Sequence, residues 1–203
     1  MKGSLGPIMV STMRSGLPFS APAAAFEAEE EIILRRCQEG DLDALRKIYA
    51  RYERPLLGTA SRLLGQRQDA EDAVHETFLK LYRHIGNYRC GSQFSTYLFR
   101  ILINSCFDIL RMRKRRPADG LDSESLPYRS HEEELFHLRR AIDALPPRMR
   151  ACFVLFAVEE FKLEEIGEIL GLRLGTVKAT IHRAKARLRS MLSESDRAEE
   201  AKT

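Results

Sequence analysis

Between residues 173 and 189 the chain carries six basic side chains and no acidic one. Between residues 110 and 116, LRMRKRR, five of seven positions are basic. Lys and Arg at this density hold phosphates, the usual first contact of a protein with nucleic acid. Acids gather elsewhere, at 27–31, 69–76 and 132–134. Asp69, Glu71, Asp72 and Glu76 could imitate a metal cluster, but a single His75 among them is thin support for a metal. The same acids also suit a helix near its N-terminus. The chemistry expected is therefore binding, not bond making: no catalytic residue, metal or cofactor is expected, and the chain is not expected to be an enzyme.

Helices must position these groups. Helical periodicity dominates and no segment sustains strand alternation, so the fold expected is all-α. Net charge is only +4 across 203 residues, so distribution matters more than total. Residues 1–28 are expected to form a disordered tail, 29–116 a helical domain, 117–130 a flexible linker, 131–193 a second helical domain, and 194–203 a second tail. The linker expectation rests on two prolines, Gly120 and several acids. No apolar run approaches the roughly 20 residues of a membrane span. Arg14 and Pro18 interrupt any signal-like stretch, so a cytoplasmic protein without membrane insertion is expected. Cys37, Cys90, Cys106 and Cys152 form no CxxC pair and are expected to be reduced thiols, a redox-sensing role staying open.

Three constellations stand out. Residues 163–189 read as two short helices joined through a Gly-containing turn, a helix-turn-helix. Val177, Ile181, Ala184 and Leu188 recur at intervals of four, three and four, a stripe that packs inward. The opposite face offers Gly175, Lys178, Ala179, His182, Arg183 and Ala186. Small residues there let the backbone approach a groove, while Lys and Arg reach phosphates or guanine edges. A basic helix on an ordinary bundle is the plain alternative.

The second constellation is a helix over about 94–114. Tyr97, Leu98, Ile101, Leu102 and Cys106 can face the core. Thr96, Arg100, Asn104, Asp108 and Arg111 are read as a polar stripe. The preceding loop holds Tyr88, Arg89, Ser92 and Gln93. An aromatic ring can stack on an unstacked base while amides read its edge. A buried Tyr88 and a solvated charge run are the alternative. The third is the helix over about 68–85, whose exposed face mixes Asp72, His75 and Glu76 with Leu79, as a partner helix would require.

At these residues the chain resembles the extracytoplasmic-function (ECF) subfamily of sigma-70 family RNA polymerase sigma factors. GDLDALRKIYARYERPL and LLGQRQDAEDAVHETFLKLY resemble the first half of the promoter-melting domain, sigma region 2. FSTYLFRILINSCFDILRMRKRR resembles its DNA-reading helix. ALPPRMRACFVL, LEEIGEILGL and GTVK resemble the helix-turn-helix domain, sigma region 4. The resemblance implies binding to RNA polymerase core and promoter-specific initiation. Asp72, His75, Glu76 and Leu79 would dock on the polymerase. Tyr88, Arg89, Ser92, Gln93, Arg100, Asn104, Arg111, Arg113, Lys114 and Arg115 would bind the minus-ten element and melted DNA. Thr176, Lys178, Ala179, His182 and Arg183 would bind the minus-thirty-five element. An anti-sigma factor is a further partner that many such factors have.

Two departures stand out. The family often has Gln where this chain has His75, and GTVKSR where it has GTVKAT, so Ala179 and Thr180 remove a hydroxyl and a cation from or near the DNA face. Alternatives from other classes are an autonomous helix-turn-helix regulator, a nucleic-acid-processing enzyme using the acidic cluster, and a protein that occupies polymerase without initiating.

Overall fold

The computed structural model describes residues 23–88, 93–115 and 131–200, with side chains from 29 to 193 except 131–136. Among the described residues are eight α-helices and no strand. The first four are α1 (Ala23–Gln38), α2 (Leu42–Leu64), α3 (Arg67–His84) and α4 (Phe94–Arg115). The second four are α5 (His131–Asp143), α6 (Pro147–Ala157), α7 (Leu163–Leu170) and α8 (Leu174–Glu200). Two expected boundaries shift. Helix α1 starts inside the segment expected to be tail, and α8 runs past residue 193. The Ala-rich start and the Ala- and Glu-rich end are good helix formers. The expected linker 117–130 lies outside the described residues.

Local chemistry sets the helix ends. The Asp41 carboxylate accepts from the backbone N–H of Asp43 and Ala44 at 2.9 and 3.2 Å, satisfying donors that the first turn leaves orphaned. Gly65 closes α2 with φ +72, and its N–H donates to the Ser61 carbonyl. The helix runs through Pro55 at the cost of one interior hydrogen bond.

In the first domain Ile48, Leu56, Leu63, Leu81, Leu98 and Leu102 are fully buried and hold α2, α3 and α4 together. Burying such side chains is worth about 1.5–3 kcal/mol each. The Tyr52 hydroxyl donates to Glu30 at 2.6 Å, tying α1 to α2. In the second domain Leu145, Leu155, Ile166, Ile169 and Val177 play the same part. The two domains also touch. Helix α7 packs on α4, and α5 and α6 pack on α2.

Helix α4 departs from its expected pattern. Leu98, Leu102 and Cys106 are buried as expected, with Tyr97 and Ile101 partly covered. Phe99 and Ile103 are buried too. Thr96, expected on a polar stripe, is also buried, because α4 starts deep in the bundle beside Phe94 and Ser95.

Candidate nucleic-acid interface

The helix-turn-helix is held tightly at its turn. Gly171 adopts φ +64 and ends α7. The Leu172 N–H donates to the Gly167 carbonyl at 2.8 Å. A Cβ on Gly167 would sit 2.8 Å from the Leu172 carbonyl oxygen, so only glycine lets the chain pass this closely. Glu165 accepts from the Lys162 N–H at 2.7 Å and fixes the start of α7. Val177, Ile181, Ala184 and Leu188 are all buried, which turns the opposite face of α8 outward. Thr176, Lys178, Ala179, His182 and Arg183 are therefore all exposed, together and near the helix N-terminus. Arg183 Nε donates to the Ala179 carbonyl at 3.3 Å, leaving the rest of its guanidinium outward. Lys185 is set apart: its ammonium lies 4.6 Å from the centre of the Phe156 ring, a cation–π contact within the domain.

On α4, Arg100, Asn104, Arg111, Lys114 and Arg115 are exposed along one flank. Arg111 pairs with Asp108 one turn back, which lowers its net charge without burying it. Arg113 does not join them. Its guanidinium donates to the Leu64 carbonyl and the Gln66 side chain, each at 2.8 Å, and pairs with Asp69. It closes the α2–α3 corner, with its guanidinium engaged within the fold. Desolvation also holds its pKa below the usual arginine value.

Beside this flank lies a cleft of about 260 Å³ between α3 and α4, lined by Lys80, His84, Tyr97, Ile101 and Asn104. Lys80 Nζ donates to the Ser105 hydroxyl at 3.1 Å and pairs with Glu76 at 3.6 Å. Tyr97 forms an aromatic wall, its hydroxyl pushed up in pKa by burial. Tyr88, read from the sequence as the stacking ring, is only 9% exposed. Its ring packs 5.0 Å from Tyr97 and 5.6 Å from Phe94, and Gln38 donates to its carbonyl at 2.9 Å. Tyr88 therefore packs behind Tyr97, and Tyr97 is the ring that lines the cleft. Gln93 is exposed at the start of α4, whereas Arg89 and Ser92 lie outside the described residues.

On α3, Asp72 and His75 are exposed, Glu76 is half-buried, and Leu79 is 46% exposed. Tyr82, not singled out from sequence, continues this face at 55% exposure. The signal was present: 72, 75, 79 and 82 recur at helical spacing. The neighbouring acids are engaged, Asp69 with Arg113 and Glu71 with Arg67 at 2.8 Å. The cysteines described, Cys37, Cys106 and Cys152, are buried and free. Desolvation pushes Cys106 to about 12 and Cys152 to about 11, which suppresses the reactive thiolate. Cys90 lies outside the described residues. Among the described residues no helix is long and apolar enough to cross a membrane.

Comparison with known proteins bears on these surfaces. The family model for Sigma-70 region 2 matches residues 48–116, and that for Sigma-70 region 4 matches residues 135–188. The chain is 33% identical over 180 residues to the ECF RNA polymerase sigma factor SigW of Bacillus subtilis, covering 79% of this chain and 95% of that one. It is 39% identical over 145 residues to the ECF RNA polymerase sigma factor SigE of Mycolicibacterium smegmatis. That match covers 66% of this chain and 56% of the longer relative. Among solved structures, CnrH, seen in complex with the cytosolic domain of CnrY, aligns with a TM-score of 0.64 at 25% identity, over 81% of this chain and 97% of that one. Both halves of the sequence and the helical fold thus point the same way: the chain belongs to the ECF group of sigma-70 family RNA polymerase sigma factors.

Proposed function

We propose that this chain binds RNA polymerase core and directs it to promoters by reading a minus-thirty-five element with α8 and a minus-ten element with α4. The observation that carries the reading is the outward presentation of two separate cationic faces, Lys178 with Arg183 and Arg100 with Lys114 and Arg115, on helices whose other sides are core. Thr176, Lys178, Ala179, His182 and Arg183 lie where the start of a second helix enters a major groove. Without the hydroxyl and cation that the family often carries at 179 and 180, fewer phosphate contacts are made there.

Arg100, Arg111, Lys114 and Arg115 follow the non-template strand, and Asn104 lies at the mouth of the cleft. That cleft takes an unstacked base, with Tyr97 as its wall and Asn104 and Lys80 as polar groups at its edge. Extruding a base costs a few kcal/mol, which stacking worth about 1–3 kcal/mol and new hydrogen bonds offset. Gln93, exposed at the start of α4, joins in binding the minus-ten element, as do Arg89 and Ser92.

Asp72, His75, Glu76 and Leu79, extended by Tyr82, dock on the polymerase, whose active centre does the chemistry. The chain acts in the cytoplasm, and an anti-sigma protein is its regulator. Dividing recognition between two tethered domains raises the effective concentration of the second contact once the first is made. Reconstitution with core polymerase on a promoter library tests the reading. Selective initiation from one class of promoter is expected, and start-site choice unaltered by the chain overturns it.

A further inference from the structure

Helix α1 carries none of the DNA-facing or docking residues, yet two of its polar side chains hold the aromatic residues behind the α3–α4 cleft. Gln38 is its last residue. The amide nitrogen of Gln38 has two hydrogens and two acceptors within reach. It donates to the Ile85 carbonyl at 3.2 Å and to the Tyr88 carbonyl at 2.9 Å, 47 and 50 residues further along the chain. Between those carbonyls lies the single 3-10 turn Ile85–Asn87 that follows α3. The Ile85 carbonyl also accepts from the Tyr88 N–H at 3.0 Å, so both of its lone pairs are used. The Tyr88 carbonyl lies past the turn, where no helical ladder reaches it. One amide thus ties off both ends of the turn.

Tyr88 is also one member of an aromatic row. Tyr52 meets Phe94 edge-on at 5.5 Å between centroids, and Phe94 meets Tyr88 edge-on at 5.6 Å. Tyr88 then meets Tyr97 at 5.0 Å, and Tyr97 lines the cleft. Helix α1 grips this row twice. Glu30 accepts from the Tyr52 hydroxyl at 2.6 Å, and Gln38 holds the Tyr88 backbone. The two grips stand eight residues apart, about 12 Å along the helix axis. Ile33, Leu34 and Cys37 between them are buried, so α1 offers a fixed frame.

We propose that Gln38 is a positioning residue for the extruded minus-ten base: it fixes the backbone of Tyr88, and through the Tyr88 ring it sets where Tyr97 stands in the cleft. The role rests on the cleft taking an unstacked base, as in the function proposed above. Gln38 touches no DNA. Its leverage comes from the steepness of contact energies, because a gap of about 0.5–1 Å forfeits a quarter to a half of a van der Waals contact. A wall that drifts by that distance stacks poorly on a base while the fold around it survives.

The test uses the full chain with core polymerase and two variants. Gln38→Met keeps the length and loses the donors. Gln38→Glu keeps the shape and sets a carboxylate against two carbonyl oxygens. Gln38 is exposed, so both variants should keep their melting temperature and their association with core. Holoenzyme affinity is measured on promoter DNA that is intact or abasic at each minus-ten position of the non-template strand in turn. On intact DNA Gln38→Met should bind about threefold to tenfold more weakly, as loss of such hydrogen bonds predicts, and Gln38→Glu more weakly still. On DNA lacking the extruded base the deficit should vanish, because the wall then has nothing to stack on. No deficit on intact DNA would overturn the role. An equal deficit on intact DNA and on every abasic promoter would also overturn it, since a general loss of structure acts that way. Either result leaves the proposed function standing. A wild-type holoenzyme indifferent to every abasic position would instead sink the base-accepting cleft, and the role of Gln38 with it.

Discussion

Arg113 Nη1 lies 2.8 Å from the carbonyl oxygen of Leu64, 49 residues earlier in the chain. The end of a basic helix is thereby fastened to the last turn of another, at a point where α2 has run out of internal donors. The basic run is not uniform: one of its cations is structural and its neighbours face solvent. We expect Arg113→Ala to cost about 1–3 kcal/mol of stability, because it strands a carbonyl and Asp69 together. Thermal melting measures the loss. Lys114→Ala should leave the melting temperature nearly unchanged and weaken promoter binding.

Arg183 and Lys178 flank the exposed side of α8, five residues apart, and should fail differently. If Arg183 reads a base edge, Arg183→Ala costs about 1–3 kcal/mol and relaxes sequence preference at one position. If Lys178 holds a phosphate, Lys178→Ala weakens all sequences alike and lowers the salt dependence of binding by about one unit of slope. Salt titrations with cognate and altered minus-thirty-five DNA separate the two. Equal behaviour of the variants would remove the distinction.

Glu76→Lys should impair association with polymerase core. It reverses a charge on the docking face and also sets two cations together, since Lys80 lies 3.6 Å from the Glu76 carboxylate. Tyr82→Ala tests the extension of that face and should weaken core binding by about 1–2 kcal/mol, as loss of an interfacial aromatic does. Co-purification of the chain with core reads both. Normal holoenzyme formation by Glu76→Lys would move the docking surface elsewhere.

Much of this architecture was legible in the residues themselves. The stripes on α3 and α8 carry their period in the sequence, and Asp41, Gly65 and Gly171 mark helix ends by side-chain chemistry alone. What escaped depends on distant partners. Phe99 and Ile103 form a second apolar face of α4, and the turn that covers Phe99 lies some sixty residues further on, beyond any local period. Thr96 and Asn104 share a spacing, yet one is inside and the other outside because α4 enters the bundle at its N-terminal end. Tyr88 and Tyr97 are both aromatic residues beside the same loop. Only the tertiary packing of both rings with Phe94 and with each other decides which one meets the cleft.

The missing side chain at Gly167 has a consequence for how this lineage can change. A hydrogen there lets the Leu172 carbonyl pass, and that passage fixes the angle between α7 and α8. Even a methyl group would pry the pair apart and tilt the reading helix relative to the base pairs. Side chains on the exposed face of α8 can change without disturbing this turn, but position 167 stands outside that vocabulary. Altering it would blur every letter at once.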